Sequence, residues 1–283
     1  MITINDNLKG KTAVVTGGGG VLCGAMSMEL ARHGVKVAVL SRKEENAQEV
    51  VNEIKKDGGE AFALSCDVLE QASITKAAEA VKQQFPDGLD ILINGAGGNH
   101  PDASTSEEYF MQEHLEDPDV KTFFDLTEEG LKHVFNLNYV GTVMATQEFM
   151  KQMVGRDNGI VINISSMSAP SPMTKVLSYS SAKAGIDNFT QWLAVHMAKE
   201  NIRCNAIAPG FFLTSQNRAL LLKEDGSHTA RSGKIISQTP MERFGKPEDL
   251  LGTLLWLTDE KMSGFVTGIT VPVDGGFMAY SGV

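Results

Sequence analysis

The sequence predicts an α/β fold: a parallel sheet covered by helices on both faces, doubly wound into a single domain. Three observations carry that expectation. Short apolar runs alternate strictly with helix-patterned segments. Parallel strands need such crossovers, and burial on both faces makes them continuously apolar. A glycine run, Gly17 to Gly20, closes the first apolar run and opens a helical pattern, where backbone N–H groups and a helix N-terminus can meet an anion. Finally, 283 residues with no internal repeat and no linker suit one large α/β domain.

The elements follow in order. Residues 11–16 form a first buried strand. Leu22, Met26, Leu30 and Ala31 share one face of the next helix, and Gly34 stops it. Residues 35–40 are a second strand. Residues 44–56 are a helix ended by Gly58-Gly59. Residues 61–66 and 90–93 are the third and fourth strands, separated by a helix over 70–85; the fourth leads into Asn94-Gly95-Ala96-Gly97. Residues 98–125 break the rhythm. They are polar and acidic, carry Pro101 and Pro118, and read as a surface insertion near the carboxyl ends of the strands. One long helix is expected over 127–153, a strand over 160–164 and a helix over 179–200. A sixth strand, 202–208, ends at Pro209-Gly210, and residues 211–240 form an irregular substrate lid. A helix over 247–258 and a last strand, 269–273, precede Asp274-Gly275-Gly276.

Composition excludes several classes. The chain is 42% hydrophobic and 21% charged, as soluble globular proteins are. A formal charge of −10 argues against nucleic acid and supplies no basic run for an anionic membrane. No apolar run reaches the roughly 18 residues of a spanning helix, and the first residues lack the basic and apolar segments of a secretion signal. Cys23, Cys66 and Cys204 are far apart and odd in number, so neither a disulfide framework nor a metal site is expected, and a reducing cytoplasm is the expected compartment. His33, His114 and His228 fall in surface-like contexts, His133 and His196 on helices. None pairs with carboxylates at metal-ligand spacing.

The chemistry concentrates between Ser166 and Lys183. Ser166 ends the apolar run 160–164, and Tyr179 and Lys183 are four apart, on one face of a helix. A free tyrosine, with a pKa of about 10, is a poor acid or base at neutral pH. A nearby ammonium favours the phenolate and lowers that pKa. The Ser166 hydroxyl is placed to hold a carbonyl or alcohol oxygen beside the phenol, which suits proton transfer while hydride moves on or off the adjacent carbon. Tyr-x-x-x-Lys alone is common and usually an unrelated surface pair; the strand and serine before it give it weight.

A dinucleotide fits the other end. The backbone of Gly17, Gly19, Gly20, Val21 and Leu22 would cradle a pyrophosphate. Asp67, with Val68, would meet an adenine amino group, and Asn94, Gly95, Ala96 and Gly97 would let backbone approach a ribose. The second strand ends without the acidic residue that holds the ribose hydroxyls of NAD. Ser41 and Arg42 stand there instead and favour NADP, whereas NAD serves if Arg42 stacks on adenine or faces solvent.

Taken together, Thr16-Gly17, Asp67, Asn94-Gly95-Ala96-Gly97, Asn138, Ser166, Tyr179, Lys183, Pro209-Gly210, Thr214 and Asp274-Gly275-Gly276 resemble the short-chain dehydrogenase/reductase family over nearly the full length. The resemblance implies a Rossmann-type sheet of seven strands in order 3-2-1-4-5-6-7. It implies Tyr179 as general acid/base, Lys183 lowering its pKa and holding the nicotinamide ribose, and Ser166 on the substrate oxygen. Asn138 would hold a water that links Lys183 to solvent. Pro209, Gly210, Phe212 and Thr214 would complete the cofactor site, and a homotetramer is expected. The chain departs from the family at Val21 and Cys23, where the glycine motif has glycine, and at Gly95, where a second asparagine is usual. These departures, with Gly98-Asn99-His100-Pro101 and the insertion, resemble the sugar-acid branch that interconverts D-fructuronate and D-mannonate. Such a substrate would be met by Asn99, His100, Ser166 and Ser168, with Arg218 as the expected partner of its carboxylate. The alternatives are a reductase of another sugar-derived ketone or of a 3-oxoacyl thioester, the latter disfavoured by a lid that is polar after Leu222, and a non-catalytic NADP-binding regulator, disfavoured by the intact catalytic set.

Overall fold

The computed structural model describes residues 2–214 and 221–282. Seven strands form one sheet: β1 (Thr12–Thr16), β2 (Lys36–Ser41), β3 (Ala61–Ser65), β4 (Ile91–Asn94), β5 (Gly159–Ile164), β6 (Ile202–Pro209) and β7 (Thr270–Val273). Every pairing is parallel, in the order β3-β2-β1-β4-β5-β6-β7. The order reverses between β1 and β4, and such a switch opens a crevice at the carboxyl ends of the strands.

Alternate residues of the central strands feed two cores. On one face Val15, Val37 and Val39 pack with Met26 and Leu30 of α1 (Val21–Arg32) and Val51 and Ile54 of α2 (Glu44–Lys56). On the other, Val14, Leu40, Leu92 and Val161 meet Ile74 and Val81 of α3 (Gln71–Gln84), Phe149 of α5 (Gly141–Met150) and Phe189 of α6 (Leu177–His196). Both faces of the central strands are buried, which is why those strands read as largely apolar runs.

Three details differ from the sequence expectation. The long helix over 127–153 is divided: α4 (Glu128–Phe135) passes through a π turn, Asn136–Val140, before α5. A π turn accommodates one extra residue without breaking the helix, so no proline or glycine announces it. His33 is 1% exposed rather than at the surface. Its Nδ1 accepts from the Asn5 amide at 2.7 Å and its Nε2 lies 3.1 Å from Glu29 Oε1, which ties the N-terminal segment to α1. Asn94 turns into the interior. Its Nδ2 donates to Thr146 Oγ1 at 2.8 Å and to Asn163 Oδ1 at 2.9 Å, and Asn163 Nδ2 donates to Thr190 Oγ1 at 2.9 Å. This buried polar chain straps β4 and β5 to α5 and α6.

Asn163 is fully buried and takes part in two of those bonds. Asn163→Ala leaves Asn94 short of an acceptor, and is expected to lower stability by about 1–3 kcal/mol, measured by denaturant unfolding. A loss within error would show that the strap carries no weight.

Candidate active site

A cleft of about 720 Å³ opens over the carboxyl ends of β1, β2, β3 and β4 and reaches Tyr179 and Lys183. Its floor is set by close backbone approach. A Cβ on Gly17, which has φ +67°, would lie 2.7 Å from Gly95 O, and one on Gly19 would lie 2.8 Å from the Asn46 backbone. Gly20 caps α1 with no side-chain hydrogen bond, so the N-terminal amides of the helix keep their donors for an anion. Val21, Leu22, Asp67, Val68, Gly95, Ala96, Gly97 and Thr214 also line the cleft, as do Ser41 and Arg42 at the end of β2. The fit to a dinucleotide rests on this cradle, which side chains at the glycines would fill.

Four further residues expected at the cofactor are not among those lining this cleft. Asn94 belongs to the buried strap described above. Pro209 is buried in the sheet, and the Gly210 amide donates to Val273 O at 2.9 Å. Phe212, 5% exposed, packs over Gly245 and lines a separate hollow with Arg243 and Asp274. Conversely, Cys23, Lys43, Asn46, Leu69, His133 and Leu137 line the cleft without having been expected there. Lys43 and Asn46 follow Ser41-Arg42 directly and could have been found from that proximity; nothing in the sequence marks Leu137 or His133.

Tyr179 sits in the first turn of α6 and Lys183 one turn on. The Lys183 ammonium lies 5.6 Å from the centre of the Tyr179 ring and donates to Ile164 O at 2.7 Å. Burial lowers its pKa to about 8. Tyr179 does not follow the expected direction: desolvation raises its pKa above that of a free tyrosine, opposed only by a hydrogen bond with Ser166. The Lys183 ammonium, 5.6 Å from the ring centre, does not reverse that rise. The phenol is thus protonated at neutral pH and hydrogen-bonded to Ser166. Asn138 lies in the π turn, fully buried. Its Nδ2 donates to Gly98 O at 2.7 Å and Val134 O at 2.8 Å, and its Oδ1 accepts from the Gly98 amide at 3.1 Å. It thereby fixes the chain leaving β4 above Lys183: a Cβ on Gly97 would lie 2.6 Å from Asn138 Oδ1 and 3.5 Å from Lys183 Nζ.

The expected substrate residues divide. Asn99 lines the cleft and donates to Ser104 Oγ at 2.9 Å. The His100 ring packs 5.2 Å from that of His133, and its Nδ1 accepts from the Asp102 amide. Ser168 is buried behind Ser166 rather than facing a ligand, with its hydroxyl 3.0 Å from Ser166 Oγ and its amide donating there at 3.1 Å. Arg218 lies outside the described residues. The insertion is joined to two neighbouring segments through residues 105–108. The Thr105 amide donates to Lys175 O at 3.0 Å, Lys175 Nζ donates to Ser106 O, and Lys234 on the lid helix Ala230–Ser237 pairs with Glu108 at 3.0 Å.

A glycine cradle at the sheet's switch point, with serine, tyrosine and lysine converging beside it, defines a dinucleotide-dependent oxidoreductase of alcohols and ketones. The chain belongs to the short-chain dehydrogenase family, whose model, described as short chain dehydrogenase, matches residues 11–225. An uncharacterized oxidoreductase of Bacillus subtilis, UxuB, is 59% identical over 283 residues, covering 100% of both chains. A Haemophilus influenzae structure described as a "putative D-mannonate oxidoreductase" with bound NAD is 49% identical, with a TM-score of 0.94 over 99% of each chain. A 3-oxoacyl-[acyl-carrier-protein] reductase of Aquifex aeolicus is 33% identical over 95% of this chain and 98% of its own. Among the described residues no group of side chains is arranged to hold a metal, and no helix is long and apolar enough to cross a membrane.

Lys183 is expected to act as a charged ammonium donating to the bound cofactor, so the protonated lysine is the form expected to bind it. The kcat/KM for the reduced cofactor, which reports the free enzyme, is therefore expected to fall as pH rises through about 8. A profile that stays level through that range would show that the neutral amine serves equally well.

Proposed function

We propose that this protein interconverts a ketone and a secondary alcohol on a sugar acid, with D-fructuronate and D-mannonate as the pair. The carrying observation is that the insertion brings Asn99 into the cleft that Tyr179 lines and is bonded through Thr105 and Ser106 to Lys175, in the loop between Ser166 and Tyr179. Asn99 offers a hydroxylated substrate hydrogen-bonding groups in the same cleft as the phenol. The similarity to the Haemophilus protein supports the same pair. Arg218 remains the proposed partner of the substrate carboxylate.

When bound, the nicotinamide supplies or accepts the hydride. The protein does the rest. Ser166 holds the ketone oxygen, and Tyr179 donates its proton to that oxygen as charge develops on it. Lys183 would hold the nicotinamide ribose, and Asn138 keeps the Gly97-Gly98 backbone in place beside it. NADP is proposed as the preferred cofactor and NAD as a second one. Ser41, Arg42 and Lys43 at the end of β2 bring hydroxyl and cationic groups to the cleft, with no carboxylate among the three, while the Haemophilus structure carries NAD. A cytoplasmic homotetramer belongs to the same reading; exposed Trp192, Val195 and Phe265 supply apolar surface for association.

The test is oxidation of NADPH and of NADH, followed by absorbance, with D-fructuronate as acceptor. Turnover supports the proposal; none, in a protein that still binds cofactor, points to another sugar-derived ketone. Tyr179→Phe is expected to lose about 10²–10⁴-fold in kcat with cofactor binding retained; loss of binding instead would make the phenol structural. Ser41→Asp removes a hydrogen bond to the 2′-phosphate worth about 1.5–3 kcal/mol and is expected to shift preference about tenfold or more towards NADH. An unchanged ratio of kcat/KM values would remove the basis for NADP.

A further inference from the structure

Two of the sequence's departures from its family, Cys23 and Gly95, meet in space. A Cβ built on Gly95 would lie 2.1 Å from Cys23 Sγ and 3.4 Å from Cys23 Cβ. No side chain of any kind fits at position 95 while the thiol is there. Cys23 comes from the first turn of α1 and is 5% exposed. Gly95 follows β4, and its amide donates to Thr16 O at 3.2 Å and Thr16 Oγ1 at 3.1 Å. Beside this contact Gly17 leaves no room for a Cβ against Gly95 O and Ala96 N. The turns after β1 and β4 therefore pack backbone on backbone, and the thiol fills the dent that the missing side chain leaves.

We propose that Cys23 is a positioning residue: seated on Gly95, its thiol sets the spacing between the N-terminal turn of α1 and the turn after β4, and so the spacing of the two backbone segments that grip the dinucleotide. The residues at 23 and 95 act as one unit, in which the thiol at 23 excludes any side chain at 95. The thiol acts by shape rather than charge, since burial raises its pKa to about 12 and keeps it neutral beside Lys183. The inference rests on the cleft being the cofactor site, which the wild type tests separately.

The experiment compares wild type, Cys23→Ala, Gly95→Ala and Cys23→Ala/Gly95→Ala by NADH and NADPH binding, steady-state kinetics and thermal unfolding without cofactor. Gly95→Ala drives its methyl into the thiol and is expected to weaken cofactor binding about tenfold or more. Cys23→Ala leaves a small void and is expected to weaken it about threefold. The double variant removes the thiol clash and leaves only a 2.9 Å approach to Thr16 O, so it is expected to bind tighter than Gly95→Ala. The loss should fall on the KM for the cofactor more than on kcat, and should exceed what the shift in unfolding temperature accounts for. Additive losses, or a double variant no better than Gly95→Ala, would overturn the pairing. If Gly95→Ala does not fold, soluble and cofactor-binding double variant is the supporting result and its absence the overturning one. A wild type that binds neither cofactor would overturn the cleft assignment itself, and the inference with it.

Discussion

Lys183 carries its ammonium into a site where only 5% of the residue is exposed, and the groups around it are arranged to keep it there. Burying a charge without a counter-charge is unfavourable unless its protons find acceptors. Here one goes to Ile164 O at the end of β5. Gly97 leaves the space above it, and Asn138 holds the strand-leaving chain clear. The partial compensation shows in a pKa near 8. A lysine poised there, beside a phenol that has kept its proton, can respond to small changes in local charge, such as the arrival of a dinucleotide's phosphates.

The positions of these groups follow from the sheet. Because every strand is parallel, all the carboxyl ends lie on one edge, and the cleft opens there. It is lined by the turns that leave the strands and by the helices beside them. The insertion and the lid helix are joined through Glu108 and Lys234. Lys175 illustrates the coupling: its backbone adopts φ +73°, rare for a side chain of that size, and both its carbonyl and its ammonium engage the insertion. The loop between Ser166 and Tyr179 is thus tied to the insertion.

The strands were legible because both faces are buried, so most appear as largely apolar runs such as residues 91–93, while Ile202–Pro209 remains buried throughout despite carrying Arg203 and Asn205. Ser166, Tyr179 and Lys183 were legible from spacing, since a four-residue step on a helix fixes a shared face. Side-chain direction at a strand's end was not. Asn94 and Ser168 lie next to ligand-facing residues in sequence, yet turn inward to satisfy buried polar partners. The direction of the Tyr179 shift was also hidden, because desolvation depends on the whole surrounding shell and not on one neighbour. His33 looked superficial at the end of an amphipathic helix; the N-terminal segment that covers it comes from elsewhere in the chain.

The π turn at Asn136–Val140 has a consequence for how this helix tolerates change. Thr142 Oγ1 donates to Asn138 O, Thr146 Oγ1 to Thr142 O, and Thr146 then receives the Asn94 amide. Each residue of an α-helix advances by about 100°. Deleting one residue of the turn would restore ordinary winding and leave α5 close to its present phase relative to α4, because the turn already takes up that one residue. The segment's length therefore bears on the place of Asn138, which within the turn is bonded to Gly98 and Val134, more than on the phase of α5 with the sheet.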